Sequence, residues 1–405
     1  MKSDQATLPA ADSGAAAPAA AHPPPAVLAA LLQRADLRFN GPRPWDPQVH
    51  HPRLYRRLLS QWSLGAGESY VDGDWDCERL DELFTRLLRV DLDRAPPGWS
   101  RWNRLLEVLR HGLLNLQSVA RAFQVGERHY DAGNDVFEAM LDSRMVYSCA
   151  YWERAQTLEQ AQLDKLELIC RKLQLRPGMR LLDIGCGWGG LARHAARQHG
   201  VQVLGITVSR EQLALARQRC AGLAVELRLQ DYRALAGESG GEFDGGFDRI
   251  VSVGMFEHVG LKNYGAYLDT ARRLLKADGL FLLHTIGVDR RAAATDPWID
   301  RHVFPNGKLP SPAELAAALE GRFIVEDWHN FGDDYDRTLM SWWQRFDAAW
   351  PQLQGRYDRR FYRQWQYYLL SCAGFFRARQ GQLWQLVLSR RERSDTYRSL
   401  RLATA

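Results

Sequence analysis

Leu181-Leu-Asp-Ile-Gly-Cys-Gly-Trp-Gly-Gly190 is the stretch that decides the fold of this chain. Arg180 to Ile184 is a short apolar run of the kind that forms a buried strand, and Leu191 onward has the character of a helix. Between them Gly185, Gly187 and Gly190 let the backbone turn sharply and approach a ligand, with helix N-terminal amides beyond. The spacing fits G-x-G-x-x-G, which serves dinucleotides and S-adenosylmethionine alike. Two neighbours separate these. Asp183 stands just ahead of the first glycine, and the next strand, Val201 to Ile206, runs into Thr207, where a nicotinamide ribose would need Asp or Glu. The loop is expected to hold a nucleotide-like ligand; the bland alternative is an ordinary strand-to-helix turn.

Outward from this loop the pattern alternates. A helix from Leu166, a turn at Pro177-Gly178 and strand 180–184 come first. Then follow a helix from 190, strand 201–206, a helix from Glu211, and strands 224–229 and 248–253. A helix from Asn263 and strand 279–284 complete the series, with Phe323–Trp328 and Gln382–Ser389 as closing strands. Such alternation predicts a doubly wound, mostly parallel α/β sheet. Ligands in these sheets lie outside the carboxyl ends of the strands. Gly185, Thr207, Asp231, Glu257 and His284 all fall at such ends.

Each of these residues also has an ordinary reading. Asp231, after Gln230, fits an adenine edge or a helix N-cap, and Thr207, Ser209 and Gln212 share the capping alternative. Glu257 at the crevice edge can accept a proton, bind a cation or hold a small ligand; a surface ion pair competes. His284 ends an apolar strand and reads equally as a satisfied core residue. Tyr147-Ser-Cys-Ala-Tyr-Trp152 and His129-Tyr-Asp-Ala-Gly-Asn134 suit a cover over the crevice or a core-forming loop. Cys149 as a nucleophile would need an activating base that the sequence does not reveal.

Composition narrows the class. At 405 residues, 46% hydrophobic and 25% charged, the chain suits a globular protein of two domains. No run approaches the ~20 apolar residues of a membrane span. Met1 to Val27 is an Ala/Pro tract, expected to be a disordered tail and not an export signal. Six cysteines without a C-x-x-C pair point to reduced thiols in the cytoplasm. His194 and His199, five apart, are not expected to share a metal, and no zinc signature is present. The net charge of +5 weakly favours an anionic partner surface. Trp102, Leu105, Leu106, Leu109, Leu113, Leu116 and Phe123 recur at helical spacing, with Arg101, Arg104, Arg110, His111 and Arg121 alongside. That helix either packs within a small domain or presents a basic amphipathic face to a membrane or partner.

Taken together these clusters resemble the cyclopropane fatty-acyl-phospholipid synthases. The resemblance rests on Val125-Gly-Glu-Arg-His-Tyr-Asp131, Tyr147 to Trp152, Leu182 to Gly190, Gln230-Asp-Tyr-Arg233 and Val251 to Gly260. It continues through Leu282-Leu-His-Thr-Ile-Gly287, Asp296-Pro-Trp-Ile299, Phe304-Pro-Asn-Gly307 and Glu326 to Gly332 with Asp334-Tyr-Asp336. Cys372 to Arg379 and Gly67 to Gly73 complete it, so that it spans about 28–390. It implies a Rossmann-like class I methyltransferase domain over 126–395 and a smaller, mainly helical domain over 28–125 for lipid docking or dimer contact. Tails at 1–27 and 396–405 flank them, and 236–246 is an inserted surface loop.

The resemblance also implies a mechanism. A cis double bond attacks the sulfonium methyl of S-adenosylmethionine, and the carbocation closes to a ring once a proton leaves. A bound bicarbonate takes that proton. Its holders by match are Cys149 (through its backbone), Glu257, His284, Ile286 and Tyr335. Cofactor contacts by the same match are Tyr147, Ser148, Asp183, Gly185, Gly187, Gly189, Thr207, Ser209, Gln212, Gln230 and Asp231. A carbocation favours aromatic faces over water, which suits Tyr130, Tyr147, Tyr151 and Trp298. The implied substrate is a phospholipid with cis-unsaturated acyl chains. It would be met at the anionic inner face of the cytoplasmic membrane by a peripheral homodimer, with arginines in 101–121 and 359–379 docking. Rival expectations are a methyl- or methylene-branching or amine-methylating relative, and a non-catalytic lipid-binding protein. No module for nucleic acid is visible.

Overall fold

Leu280-Phe-Leu-Leu283 contains no polar side chain, and all four residues are wholly buried, as a strand covered on both faces requires. This run lies in β7 (Leu275–Val288), beside β6 (Phe247–Val253) and β9 (Gly381–Ser389). The structure is a computed structural model that describes residues 23–90, 133–237, 246–292 and 295–400. Its main sheet has seven strands in the order β5-β4-β3-β6-β7-β9-β8. The remaining members are β3 (Arg180–Ile184), β4 (Gln202–Thr207), β5 (Val225–Leu229) and β8 (Ile324–Asn330). Strands β3 to β7 are mutually parallel, while β9 pairs antiparallel with both β7 and β8. The chain order reverses at β3, so the carboxyl ends of β3 and β6 form the switch point where a crevice opens.

Strands and helices fall close to where the sequence predicts them, with one informative difference. β7 extends to Val288 instead of ending at His284, because β9 pairs with it from Leu280↔Ser389 to Val288↔Gly381. The cross-strand partner, invisible to local pattern, lengthens the strand. Helix starts follow local capping chemistry. Thr157 accepts from the Gln160 amide ahead of α5 (Leu158–Lys172), and Ser209 accepts from the Gln212 amide ahead of α7 (Arg210–Arg219). Between these, α6 (Gly190–His199) springs directly from the glycine turn. α8 (Tyr264–Leu274) covers the sheet beyond β6.

The front of the chain forms α1 (Ala26–Arg34), α2 (Arg53–Val71), α3 (Leu80–Arg89) and a small ribbon of β1 (Gln48–Val49) and β2 (Trp75–Asp76). The short α4 (Asn134–Met140) precedes the catalytic segments. α9 (Pro297–His302) and α10 (Pro312–Leu319) follow β7. Then α11 (Asp333–Leu353) and α12 (Arg359–Arg377) form a pair. Tyr70, Leu80 and Leu83 from the front share one core with Trp298, Trp342, Phe346, Trp365, Tyr367 and Leu369. Gly374 permits the contact: a Cβ there would come within 2.6 Å of Phe84 Cβ.

This packing gives two of the arginines in 359–379, Arg363 and Arg377, inward-facing partners. Arg363 is buried and donates to Tyr70 O, Trp75 O and Asp76. Arg377 bridges Asp81 and Asp336, and Arg360 pairs with Asp72. These three guanidiniums tie α12 to its neighbours, α2 and α3 among them; Arg363 and Arg377 are turned inward, while the Arg360 side chain stays 59% exposed. The basic helix expected over 101–121, the stretch 125–131 with Tyr130, residues 1–22 and most of the loop 236–246 lie outside the described residues. No helix among the described residues is long and apolar enough to cross a membrane.

Candidate active site

At the switch point the glycine turn forms one wall of a cleft of about 210 Å³. Gly187 has a φ of +55°, and a Cβ built there would meet nothing within 4 Å. The backbone is therefore bare toward the cleft, as close approach of a ligand requires. Tyr147, Ser148, Asp183, Gly185, Gly187, Thr207, Gln212, Gln230 and Asp231 all line this cleft. Gly189 and Ser209 do not. Gly189 makes the left-handed turn into α6, where a Cβ would press within 2.9 Å of Cys220 Sγ. Ser209 caps α7 and packs its amide on Thr207 Oγ1. Thr207 donates in turn to Gln212 Oε1. Both oxygens of Asp231 accept from the Arg233 guanidinium, which also faces the cleft.

The segment 147–152 is held over the cleft from two sides. From α5, Gln162 Nε2 donates to Ser148 O at 2.9 Å and Lys165 Nζ donates to Ser148 Oγ at 2.8 Å. From α11, Thr338 Oγ1 accepts from the Ala150 amide and from Trp152 Nε1, while Asp334 accepts from the Trp152 amide. Lys165 is wholly buried and also lines the cleft. Desolvation lowers its pKa to about 8, against the pull of Asp142, Cys149 and Asp183. Asp183 is pushed up to about 7 by burial, with Lys165 opposing, and its Oδ2 has no hydrogen-bond partner among the described residues.

Immediately behind the cleft lies a second, drier cluster. Glu257 is buried in a short 3-10 turn after β6, next to His258, which does line the cleft. The Ile286 amide donates to Glu257 Oε1 at 2.7 Å, while Oε2 has no partner among the described residues. Burial raises the Glu257 carboxyl to about 7, opposed by the Ile286 amide. His284 faces Gln385 across the β7–β9 ladder, and Gln385 Nε2 lies 3.2 Å from His284 Nδ1. With the amide nitrogen as donor, His284 carries its proton on Nε2, and that buried atom again has no partner among the described residues. Burial and the charges of Lys165 and Lys172 hold the His284 pKa well below its ordinary value, so the ring is neutral.

Cys149, Ile286 and Tyr335 pack in one apolar cluster with Phe331, against which His284 stacks edge-on at 5.9 Å. The Cys149 thiol is wholly buried, bonded to Ala150 O at 3.2 Å, and burial holds its pKa well above 9.0. A thiol so protonated is not a nucleophile. Aromatic rings continue from here to the cleft: Phe376 to Tyr335 at 4.5 Å, Tyr335 to Trp342 at 6.1 Å, Trp342 to Tyr147 at 5.1 Å. The arrangement joins a polar ligand cleft to an aromatic pocket with an acid, a neutral imidazole and a phenol.

Sequence reasoning missed Lys165, Gln162, Asp334 and Thr338. The one available signal was a lysine at 165 on the apolar face of α5, between Ala161 and Leu168. His194 and His199, separated in sequence by five positions, come together in space. Their rings lie 6.0 Å apart, and both Nε2 atoms contact Glu167 Oε2. A strict helical wheel separates positions five apart, yet imidazoles at the end of α6 reach a shared carboxylate on α5.

Residues 117–386 match the family described as "Mycolic acid cyclopropane synthetase". The chain is 53% identical over 360 residues to the cyclopropane-fatty-acyl-phospholipid synthase of Escherichia coli, covering 89% of this chain and 92% of that protein. It is similar to the solved cyclopropane synthase MmaA2 from Mycobacterium tuberculosis, with TM-score 0.61 and 31% identity over 66% of this chain and 98% of that one. It is also similar to mycolic acid cyclopropane synthase CmaA1 complexed with SAH and CTAB, with TM-score 0.59 and 33% identity over 66% of this chain and 97% of that one.

Proposed function

The chain belongs to the mycolic acid cyclopropane synthetase family. From that premise we infer that it is an S-adenosylmethionine-dependent transferase that closes cyclopropane rings on cis double bonds of phospholipid acyl chains. Its fold is that of the class I methyltransferases. When bound in the cleft, S-adenosylmethionine supplies the methyl carbon that becomes the ring methylene. The bare Gly187 backbone, Ser148, Gln212 and Gln230 would hold it, with Asp183 and Asp231 as acceptors.

One observation carries the ring-closing reading: Glu257 Oε2 and His284 Nε2 are both buried with no geometric hydrogen-bond partner among the described residues. Buried polar atoms are costly to leave unpaired, by about 1–3 kcal/mol each, so the pair is suited to a small ligand with both donors and acceptors. Bicarbonate has both. It would be held by Glu257, His284 and the Tyr335 hydroxyl, with Cys149 contributing backbone, and would supply the base for the departing proton. The Ile286 amide serves by fixing Glu257. The wall of Phe376, Tyr335, Trp342 and Tyr147 excludes water and faces the developing cation with π density.

A double bond deep in a leaflet also needs a docked enzyme. Withdrawing an acyl tail into water costs on the order of 10 kcal/mol at about 0.8 kcal/mol per CH₂. Leu59 and Trp62 are exposed apolar side chains on α2, with exposed Arg56 one turn away. They support peripheral docking through the front region, 28–125, and a homodimer remains part of the same proposal.

The test is mass spectrometry of cis-unsaturated phospholipid vesicles after incubation with the protein and methyl-labelled S-adenosylmethionine. Gain of one CH₂ with loss of the double bond, and a ring shown by fragmentation, is the expected result. Label in an unsaturated branched chain would establish the methyl-branching alternative instead. No labelled lipid despite cofactor binding would overturn both.

A further inference from the structure

Cys170, His194 and His199 each offer a ligand atom, and these atoms all lie within 4.8 Å of one another. Outside this trio, a carboxylate touches the two histidines. Glu167 Oε2 is 3.3 Å from His194 Nε2 and 3.0 Å from His199 Nε2. Glu167 and Cys170 are three apart on α5, hence on one face of that helix; the two histidines come from the facing α6. None of the four lines the cofactor cleft. From these positions we propose a zinc-class divalent cation site that clamps α5 to α6.

The donor set suits such an ion. Two imidazoles, one thiolate and one carboxylate are the ligand types of four-coordinate zinc. At bond lengths of about 2.0–2.3 Å, tetrahedral neighbours sit roughly 3.3–3.8 Å apart. The contacts of Glu167 with the histidines, 3.3 and 3.0 Å, are already near that spacing, and Cys170 has to draw in from within 4.8 Å of the histidines. Charge is also balanced. On binding, the Cys170 thiol gives its proton to solvent, and thiolate plus carboxylate neutralise the divalent ion. Entry is open from outside: the Glu167 side chain is 37% exposed and that of His199 18%, while Cys170 closes the inner end.

A simple ion pair between helices would explain the two histidines and the glutamate, and apolar packing with Leu166, Ala192 and Ala195 holds Cys170 beside them; a metal site uses both. The position adds a consequence. α6 begins at the glycine turn, and α5 carries Gln162 and Lys165, which hold Ser148. A clamp at the far end of α6, about 15 Å along a ten-residue helix, would brace both elements behind the cleft.

The full-length protein, stripped with a chelator under reducing conditions, is titrated with Co²⁺ and then Zn²⁺. The expected result is one equivalent of cobalt giving tetrahedral visible bands and a thiolate-to-cobalt band in the near ultraviolet, all bleached by zinc. Cys170→Ser should lose the thiolate band, and His199→Gln should lose stoichiometric binding. Zinc should raise the melting temperature of the wild type and not that of His199→Gln. Should Cys170→Ser fail to fold, His199→Gln at the helix end carries the test, with S-adenosylmethionine binding as its check on folding. Absence of a saturable cobalt spectrum in the wild type overturns the proposal. So does a spectrum that neither substitution alters, since six cysteines offer adventitious thiols.

Discussion

Glu257 is the side chain on which the proposed chemistry rests. Its carboxyl is raised by burial from 4.5 to about 7, so the folded state holds a proton that the unfolded chain releases above about pH 4.5. That contribution to stability is complete below 4.5 and fades as pH rises through about 7, amounting to roughly 3 kcal/mol. Asp183, raised by burial to about 7, acts in the same direction. Glu257→Gln keeps an acceptor for the Ile286 amide but cannot ionise. Its melting temperature relative to wild type should therefore be higher at pH 8 than at pH 5, as read by thermal denaturation. The same variant should lose turnover by about 10²–10⁴-fold while calorimetry shows S-adenosylmethionine affinity nearly intact. An active variant would remove Glu257 from the site. Cys149→Ala, in contrast, should retain activity within about tenfold, because the thiol is protonated and buried. Loss of all turnover with the fold preserved would instead assign the side chain a direct role.

At the scale of elements, α5 does more than cover the sheet. It carries Lys165, whose ammonium reaches Ser148 Oγ and stands near Asp183. Lys165→Met fills the space without the charge, leaving both neighbours short of a partner. Hydrogen bonds to charged groups contribute about 1.5–3 kcal/mol. S-adenosylmethionine affinity should therefore fall roughly ten- to hundredfold, measured by titration calorimetry; an unchanged affinity would make Lys165 a purely structural lysine. α5 and the glycine turn were legible in the sequence because a strand, three glycines and a helical period are local signals. Lys165 was not, since a lysine on an apolar face looks like a solvated side chain until Ser148 and Asp183 are brought beside it.

Across the whole molecule, the C-terminal helix pair supplies the aromatic wall and also locks the front helices in place. Arg363 satisfies two buried carbonyls, Tyr70 O and Trp75 O. Arg363→Met removes both bonds, although Tyr70 O keeps the Gly73 amide, and denaturant unfolding should show a loss on the order of 3 kcal/mol. Docking is expected elsewhere. The double change Leu59→Ala with Trp62→Ala should weaken binding to anionic cis-unsaturated vesicles and slow their modification, while S-adenosylmethionine affinity stays unchanged. Vesicle binding equal to wild type would move the docking surface off α2.

The sequence by itself determined the parallel sheet, the glycine turn and the cofactor class, and through resemblance it named candidates for the ligand sites. Those features are written in short windows, where alternation, glycine spacing and strand ends act over a few residues. Only the tertiary structure decided what each polar group meets. It left Glu257 Oε2 and His284 Nε2 unpartnered among the described residues, turned Arg363 and Arg377 inward, and gathered Cys170, His194 and His199 from two helices with Glu167 on the histidines. The physical reason is that burial and pairing are properties of packed neighbours. They depend on which surfaces the fold brings together, and no local period in the chain records that.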